Sequence, residues 1–179
     1  MSRSVSHSKK TQALAFWLEL LAFMALLALR GWKLHESALS DYDAAKNWAI
    51  LQEMCEGVFR DLFHHSSPTF YLILLPFAKL FGSFLAVEYV LIFCNTFAVW
   101  LMVRLFSQAW KLEKWQQIIL FLLVGSSTFL VVSARYLSIE SLSLLFFAFS
   151  LHFYLKYLAS QGKYWWQLCL MLALAFTTN

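Results

Sequence analysis

Five runs of apolar residues, separated by shorter polar segments, dominate the chain. Four of them approach the length of a membrane-spanning helix, which needs about 20 apolar residues: 11–29, 84–106, 115–134 and 142–158. A fifth run, 164–176, begins another helix near the end of the sequence. The pattern predicts an all-α polytopic membrane helix bundle with four full spans and a truncated fifth.

A long polar segment, residues 30–67, follows the first run and holds more than half of the acidic residues. Within it, Ser40 followed by Asp43 predicts a helix start, and Gly57 predicts the end of that helix. Apolar residues recur along this stretch at helical spacing, which is typical of a short helix that lies along a membrane surface.

The next segment, residues 68–82, is apolar but short. Pro68 predicts a helix start and Gly82 predicts its end, which leaves a helix about 21 Å long. The hydrocarbon core of a bilayer is about 30 Å thick, and Pro76 and Lys79 are expected to interrupt the run. We therefore expect a second interfacial helix here rather than another span.

Composition supports a membrane protein and excludes two other classes. Hydrophobic residues make up 61% of the 179 residues and charged residues only 13%, whereas soluble domains are usually about 25% charged. The 18 phenylalanines argue against a disordered chain. The three cysteines have no CxxC spacing, so neither a disulfide framework nor a zinc site is expected.

The basic residues predict the orientation of the bundle. The positive-inside rule places the segments richest in Lys and Arg in the cytoplasm. These are residues 1–10, 104–114 and 156–163, whereas Arg135 is the only basic residue of the short loop 135–141. We expect a cytoplasmic N-terminus (1–10), one membrane domain over 11–179, and an outer loop over 30–83, on the periplasmic, extracytoplasmic or lumenal side. The basic residues are not clustered, so no nucleic acid is expected as a partner.

Acidic residues on the outer side are the candidates for chemistry. Asp41 and Asp43 follow the first span, and Glu140 stands between the third and fourth spans. A carboxylate at the mouth of a helix bundle can act as a general base or hold a metal. Glu19, inside the first span, is either a functional carboxyl or one that faces the bundle interior.

Three short motifs follow one another along the outer segments. The first is the acid at Asp43 or Asp41, and the second runs from Ser67-Pro68-Thr69-Phe70-Tyr71 to Leu80-Phe81-Gly82. The third is Arg135-Tyr136-Leu137-Ser138-Ile139-Glu140-Ser141. Their order resembles the N-terminal part of GT-C-fold membrane glycosyltransferases that use polyprenyl-phosphate sugars. Dolichyl-phosphate-mannose protein mannosyltransferases and lipid A aminoarabinose transferases belong to this family.

The resemblance implies roles for particular residues. Asp43 would be the catalytic base that activates the acceptor hydroxyl, and Glu140 would position the acceptor or a divalent metal. Candidate substrate-binding residues are Arg135, Tyr136, Tyr71, Asp41 and His65. The chain has Asp43-Ala44 where the family commonly has Asp-Glu, and it has Glu88 where an Arg is frequent. Arg135 has a second interpretation, as an anchor at the membrane interface.

The resemblance implies transfer of a mannose-like sugar from a lipid-linked donor to an acceptor hydroxyl on the outer membrane face. It covers only the first part of a typical family member. The fifth helix ends at Thr177-Thr178-Asn179, where the sequence indicates nothing that anchors it. We therefore expect a fragment that is inactive alone and that works with a C-terminal partner chain. The alternative is a small non-catalytic integral membrane protein that acts as an assembly partner.

Overall fold

The computed structural model describes residues 2–37, 42–61 and 68–178, with side chains described from residue 12 onward except at Ser37. Regular structure in these ranges consists of helices. They are α1 Ser2–Gly31, α2 Leu34–Ser37, α3 Tyr42–Cys55, α4 Pro68–Phe81, α5 Phe84–Ala109, α6 Lys114–Gly125, α7 Thr128–Ala134, α8 Glu140–Ala159 and α9 Trp165–Thr177.

Three stretches of the described chain are helical, long and apolar enough to cross a bilayer: Gln12–Glu36, Phe84–Ala109 and Glu140–Ala159. The pair α6 and α7 has the composition of a fourth span but is bent by 66° at its break. Large apolar side chains on the outer faces of α1 and α8 remain exposed. The fold is thus an all-helical bundle compatible with a multi-pass membrane protein.

The break between α6 and α7 corrects the prediction of one continuous span over 115–134. Ser126 and Ser127 separate the two helices, and Ser127 has an extended backbone with φ −58° and ψ 137°. Gly125 and the serines that follow it favour helix ends, because glycine is flexible and serine side chains compete for backbone hydrogen bonds. The prediction of one span rested on the apolar residues on both sides of the break, and these do not reveal a bend.

The two helices between the first and second long helices agree with the local sequence signals. Helix α3 ends before Gly57, which has φ +88°, and α4 ends before Gly82, which has φ +59°. A left-handed backbone at these positions favours glycine and terminates a helix. Helix α4 agrees with the helix predicted over 68–82. Pro76 and Lys79, which interrupt the apolar run, both lie on its exposed side.

Helices α3 and α4 pack against the first half of α5 and form the largest core of the described chain. We call this end of the bundle the loop end, because residues 135–139 also lie there. The fully buried members of this core include Leu51, Met54, Phe70, Tyr71, Leu74, Val87, Leu91 and Leu137. This segment of the chain is therefore a packed cap on the bundle.

The opposite end of the bundle is called the basic end, because Lys111, Lys114 and Lys156 lie there. Between the two ends, α1 packs on α5 and α6 through Leu26, Val99 and Phe121.

Helix α9 packs along α8, and its last residues reach the loop end. Thr178 is buried, and its hydroxyl lies 3.0 Å from that of Ser143 on α8. The hydroxyl of Thr69 on α4 donates to that of Thr177 at 3.1 Å. These contacts correct the expectation that nothing anchors this end of the helix. The sequence could not indicate them, because the partners are remote along the chain.

Candidate functional site

The two candidate catalytic acids lie at the loop end of the bundle. Asp43 is in the first turn of α3 and is exposed. Glu140 is the first residue of α8 and is also exposed. Two other candidates, Asp41 and His65, lie outside the described residues.

A buried asparagine connects the elements that carry these two acids. Asn47 lies one turn after Asp43 on α3, and its Nδ2 donates a 2.8 Å hydrogen bond to the carbonyl oxygen of Leu137. Leu137 belongs to the segment 135–139, which leads directly into Glu140. Helix α3 is therefore held against the segment that leads into α8. This asparagine was not among the sequence candidates, because a lone polar residue in an amphipathic helix gives no distinctive signal.

Tyr71, a candidate substrate-binding residue, is fully buried in the same region. Its hydroxyl donates a 2.7 Å hydrogen bond to Oδ1 of Asn47. The chain Tyr71–Asn47–Leu137 links α4, α3 and the segment before α8. In this conformation the hydroxyl of Tyr71 fixes the three elements and is turned away from solvent.

Arg135 and Tyr136, the remaining candidates, are partly buried in the segment between α7 and α8. Nη2 of Arg135 lies 3.4 Å from the carbonyl oxygen of Lys33, which follows α1. Arg135 also interacts electrostatically with Glu88 on α5. The guanidinium thus lies where the ends of α1, α5 and α7 meet.

Glu88 is the buried acid of this region that the sequence candidates did not include. It is 1% exposed, and neither of its carboxyl oxygens has a hydrogen-bond partner among the described residues. The sequence marked Glu88 only as a departure from a family pattern. The signal that could have selected it is its position, because an acid inside an apolar run is a functional candidate by default.

Arg30 is the most completely buried charged residue of the described chain, although the sequence placed it at the start of a polar loop. It lies in the last turn of α1 and is 0% exposed. Its Nη1 donates to Oδ1 of Asn95 and to Oγ1 of Thr96, both at 2.8 Å. Its Nη2 donates to the carbonyl oxygen of Gly125 at 2.9 Å. The guanidinium therefore joins α1, α5 and the end of α6.

Asn95 and Thr96 on α5 both take part in hydrogen bonds between helices. Besides its bond with Arg30, Asn95 donates through Nδ2 to Oγ of Ser141 at 3.3 Å, which extends the network to α8. Ser141 is adjacent to Glu140, so this network ends next to a candidate catalytic acid.

Glu19, for which two interpretations were open, faces other helices near the basic end. Its Oε1 accepts hydrogen bonds from Nε1 of Trp100 at 2.6 Å and from Nε2 of Gln117 at 3.2 Å. The Nζ of Lys114 lies 3.7 Å from its Oε2. These contacts agree with the interpretation of a carboxyl that faces the bundle interior.

The described residues contain no group of three or more His, Cys, Asp or Glu side chains placed to hold a metal ion. The Nε2 of His35 lies 4.0 Å from the carboxylate of the adjacent Glu36. A metal at Asp43 or Glu140 would thus need ligands other than a group of these side chains.

Comparison with protein-family models, with curated proteins and with solved structures finds no match to this chain. The arguments for function therefore rest on the residues and their geometry.

Proposed function

We propose a topology with four membrane spans, in which α6 and α7 together form the third. The N-terminus is cytoplasmic, and residues 30–83 lie on the outer side with α3 and α4 along the membrane surface. Two observations support this arrangement. The basic end carries most of the lysines near span ends, which the positive-inside rule assigns to the cytoplasm. In addition, α4 has 14 residues, too few to cross the hydrocarbon core.

We propose further that the loop end is the donor-binding and catalytic region of a glycosyltransferase that uses a polyprenyl-phosphate sugar. The supporting observation is the 2.8 Å hydrogen bond from Asn47 to the carbonyl of Leu137. It holds the helix of Asp43 against the segment that carries Arg135 and leads into Glu140. The two acidic motifs and the basic residue, which are remote in sequence, thus belong to one packed region.

The chemistry assigns a different task to each side chain. The acceptor oxygen attacks the anomeric carbon of the sugar, and the bond from that carbon to the phosphate oxygen breaks with its electron pair on the phosphate. The acceptor proton moves to the carboxylate of Asp43. Asp43 lies in the first turn of α3 and is exposed, so an acceptor can reach its carboxylate. Arg135 pairs with the donor phosphate, and Glu140 positions the acceptor.

Donor binding is the first test, because it measures directly the role proposed for Arg135. The purified chain is mixed with polyprenyl-phosphate mannose that carries a photoreactive group in the prenyl chain. We expect labelling of the protein that falls several-fold in Arg135→Gln. The control variant Arg60→Gln changes an exposed arginine after α3 and should label like the unmodified chain.

Two outcomes would contradict the proposal. One is equal labelling by a photoreactive prenyl alcohol that carries neither phosphate nor sugar. The other is unchanged labelling of Arg135→Gln by the mannose donor. Where a second chain restores turnover, Asp43→Asn should lower the rate by about 10²–10⁴-fold, the usual contribution of a general base. Glu56→Gln, which changes an exposed acid just after α3, should not.

The second candidate function is a non-catalytic assembly partner, and α9 is the observation that favours it. This helix packs against α8, yet none of its residues Trp165–Thr177 is buried in the described structure. Its apolar surface is therefore available to a partner helix. Co-purification of a second membrane protein that is lost in Leu170→Lys but kept in Lys163→Gln would support this function.

A further inference from the structure

A groove of about 660 Å³ lies between α1, α5 and the start of α6, near the basic end of the bundle. Apolar and mostly aromatic side chains line its walls: Phe16, Leu20, Phe23, Phe93, Phe97 and Trp100. Sites for small amphipathic molecules usually have volumes of about 300–1,000 Å³ and mainly apolar walls with a few polar groups. The groove has this size and character.

Four polar residues line the part of the groove nearer the basic end of the bundle, which we call its mouth. Arg104, Lys114, Glu19 and Gln12 all line it and lie toward the basic end. The Nζ of Lys114 lies 3.7 Å from the carboxylate of Glu19, so these two charges offset each other. Arg104 then leaves one net positive charge at the mouth.

Arg104 is held in place without using its hydrogen-bond donors. Its guanidinium carbon lies 5.2 Å from the centre of the Trp100 ring, and the side chain is exposed. Among the described residues, Arg104 has neither a hydrogen bond nor an ion pair. Stacking on an aromatic face leaves the five N–H donors of a guanidinium directed outward, in the geometry that binds phosphate oxygens. Arg104 can therefore donate hydrogen bonds to a phosphate group at the mouth of the groove.

We propose that this groove binds an anionic phospholipid of the surrounding bilayer. One acyl chain lies between the aromatic rings, and the phosphate contacts Arg104 and Lys114. The occupant follows from complementarity, because an apolar channel with a positive mouth matches an apolar chain with a negative head. Basic pockets between membrane helices on the cytoplasmic side bind acidic lipid headgroups in this way. The site does not depend on the proposed transferase activity, which belongs to the opposite end of the bundle.

Native mass spectrometry of the detergent-purified chain tests this proposal with two added lipids. Phosphatidylglycerol is the anionic probe, and phosphatidylcholine with the same acyl chains is the zwitterionic probe. We expect the chain to retain phosphatidylglycerol in preference. Arg104→Gln should reduce this preference about fivefold, the factor that one basic residue contributes next to acidic lipid. Lys163→Gln removes an exposed lysine that does not line the groove and should leave the preference unchanged.

A second variant tests the apolar part of the site. Ala15 lines the groove, and Ala15→Trp fills it, so retention of both lipids should fall. Lys114→Gln repeats the charge test if Arg104→Gln does not purify as a folded protein. Equal retention of the two lipids by the unmodified chain would overturn the proposal. An equal loss of preference in Lys163→Gln would also overturn it, because general surface charge would then explain the binding.

Discussion

The buried side chains of Arg30 and Glu88 differ in the number of hydrogen bonds that their polar atoms make. Arg30 donates hydrogen bonds to Asn95, Thr96 and Gly125 at 2.8–2.9 Å. The carboxyl oxygens of Glu88 have no hydrogen-bond partner among the described residues. Removing a partner from a satisfied buried group costs free energy, whereas replacing an unsatisfied group by an apolar one is nearly neutral or stabilising. Substitutions at the two positions should therefore have opposite effects.

Arg30→Met should lower the free energy of unfolding by about 2–5 kcal/mol, because it leaves several buried acceptors without a donor. Arg30→Lys should recover only part of this loss, since an ammonium group does not reproduce the planar fork of a guanidinium. Equilibrium unfolding in mixed detergent micelles, followed by tryptophan fluorescence, measures the difference. Lys79→Gln, an exposed change on α4, serves as the control. A loss no larger than that of the control would contradict the network described for Arg30.

Glu88→Met should leave the free energy of unfolding unchanged or raise it, because a buried carboxyl without hydrogen bonds is itself costly. The same unfolding measurement applies, with Glu88→Gln as the matched variant that keeps polar atoms at this position. A strong destabilisation by Glu88→Met would mean that the charge interaction with Arg135 outweighs the cost of burial. If Glu88→Met leaves stability unchanged but abolishes labelling by the polyprenyl-phosphate mannose donor, Glu88 would instead belong to the proposed donor-binding region.

The roles of individual residues were the feature that the sequence predicted least well. Asp43 and Glu140 could be proposed because acids in loops near spans are visible in the sequence. Asn47 and Arg30 could not, since their importance depends on partners 90, 65 and 95 positions away. An Arg at the end of an apolar run usually reaches toward the membrane surface. Only the packing of the helices distinguishes an arginine at the membrane surface from a buried arginine such as Arg30.

At the scale of elements, the bend between α6 and α7 lies in close contact with α1. A Cβ atom added to Gly125 would overlap Cδ1 of Leu26, which is 2% exposed. The carbonyl of Gly125 also accepts the hydrogen bond from Arg30. A side chain at the end of α6 would therefore have to displace the buried side chain of Leu26 on α1.

Gly125→Ala should destabilise the chain by about 1–3 kcal/mol, the usual cost of an added methyl group in a packed core. In a chain that already carries Leu26→Ala, the same change should cost much less, because the space has been opened. A double-mutant cycle in the unfolding assay measures this coupling. Leu21→Ala, an exposed change on the same helix, is the control background and should not relieve the cost. Equal costs of Gly125→Ala in all backgrounds would contradict the contact.

The elements themselves could largely be predicted from local signals. Asp43, Pro68 and two glycines predicted the ends of α3 and α4, because helix capping depends on neighbouring residues. The break within 115–134 was missed for the opposite reason. The apolar length of this run predicts one span, whereas the bend lies at Gly125, Ser126 and Ser127, where α1 comes close to α6.

At the scale of the whole molecule, the proposed topology predicts which positions are reachable from outside. In a chain with Cys55, Cys94 and Cys169 replaced by Ala, a single cysteine is introduced at Glu56 or at Gln108, both exposed. A membrane-impermeant maleimide should label Glu56→Cys on intact cells. It should label Gln108→Cys only after permeabilisation, because the two positions are separated by one span.

A third single-cysteine variant, Lys163→Cys, is the control for this labelling experiment. It lies at the basic end together with Gln108 and should behave as Gln108→Cys does. Labelling of Gln108→Cys on intact cells would mean that α4 crosses the membrane and that the proposed arrangement is wrong. The proposed orientation is argued from the distribution of lysines. Helix packing alone does not indicate which end of the bundle faces the cytoplasm.

The burial of Arg30 also has a consequence for the order in which the protein is made. When the ribosome has completed α1, the acceptors of this guanidinium do not yet exist, because Asn95 comes 65 residues later and Gly125 comes 95 residues later. A charged group that is buried without partners is costly. We therefore expect the guanidinium of Arg30 to stay in contact with water during synthesis and to become buried only after α6 has been made.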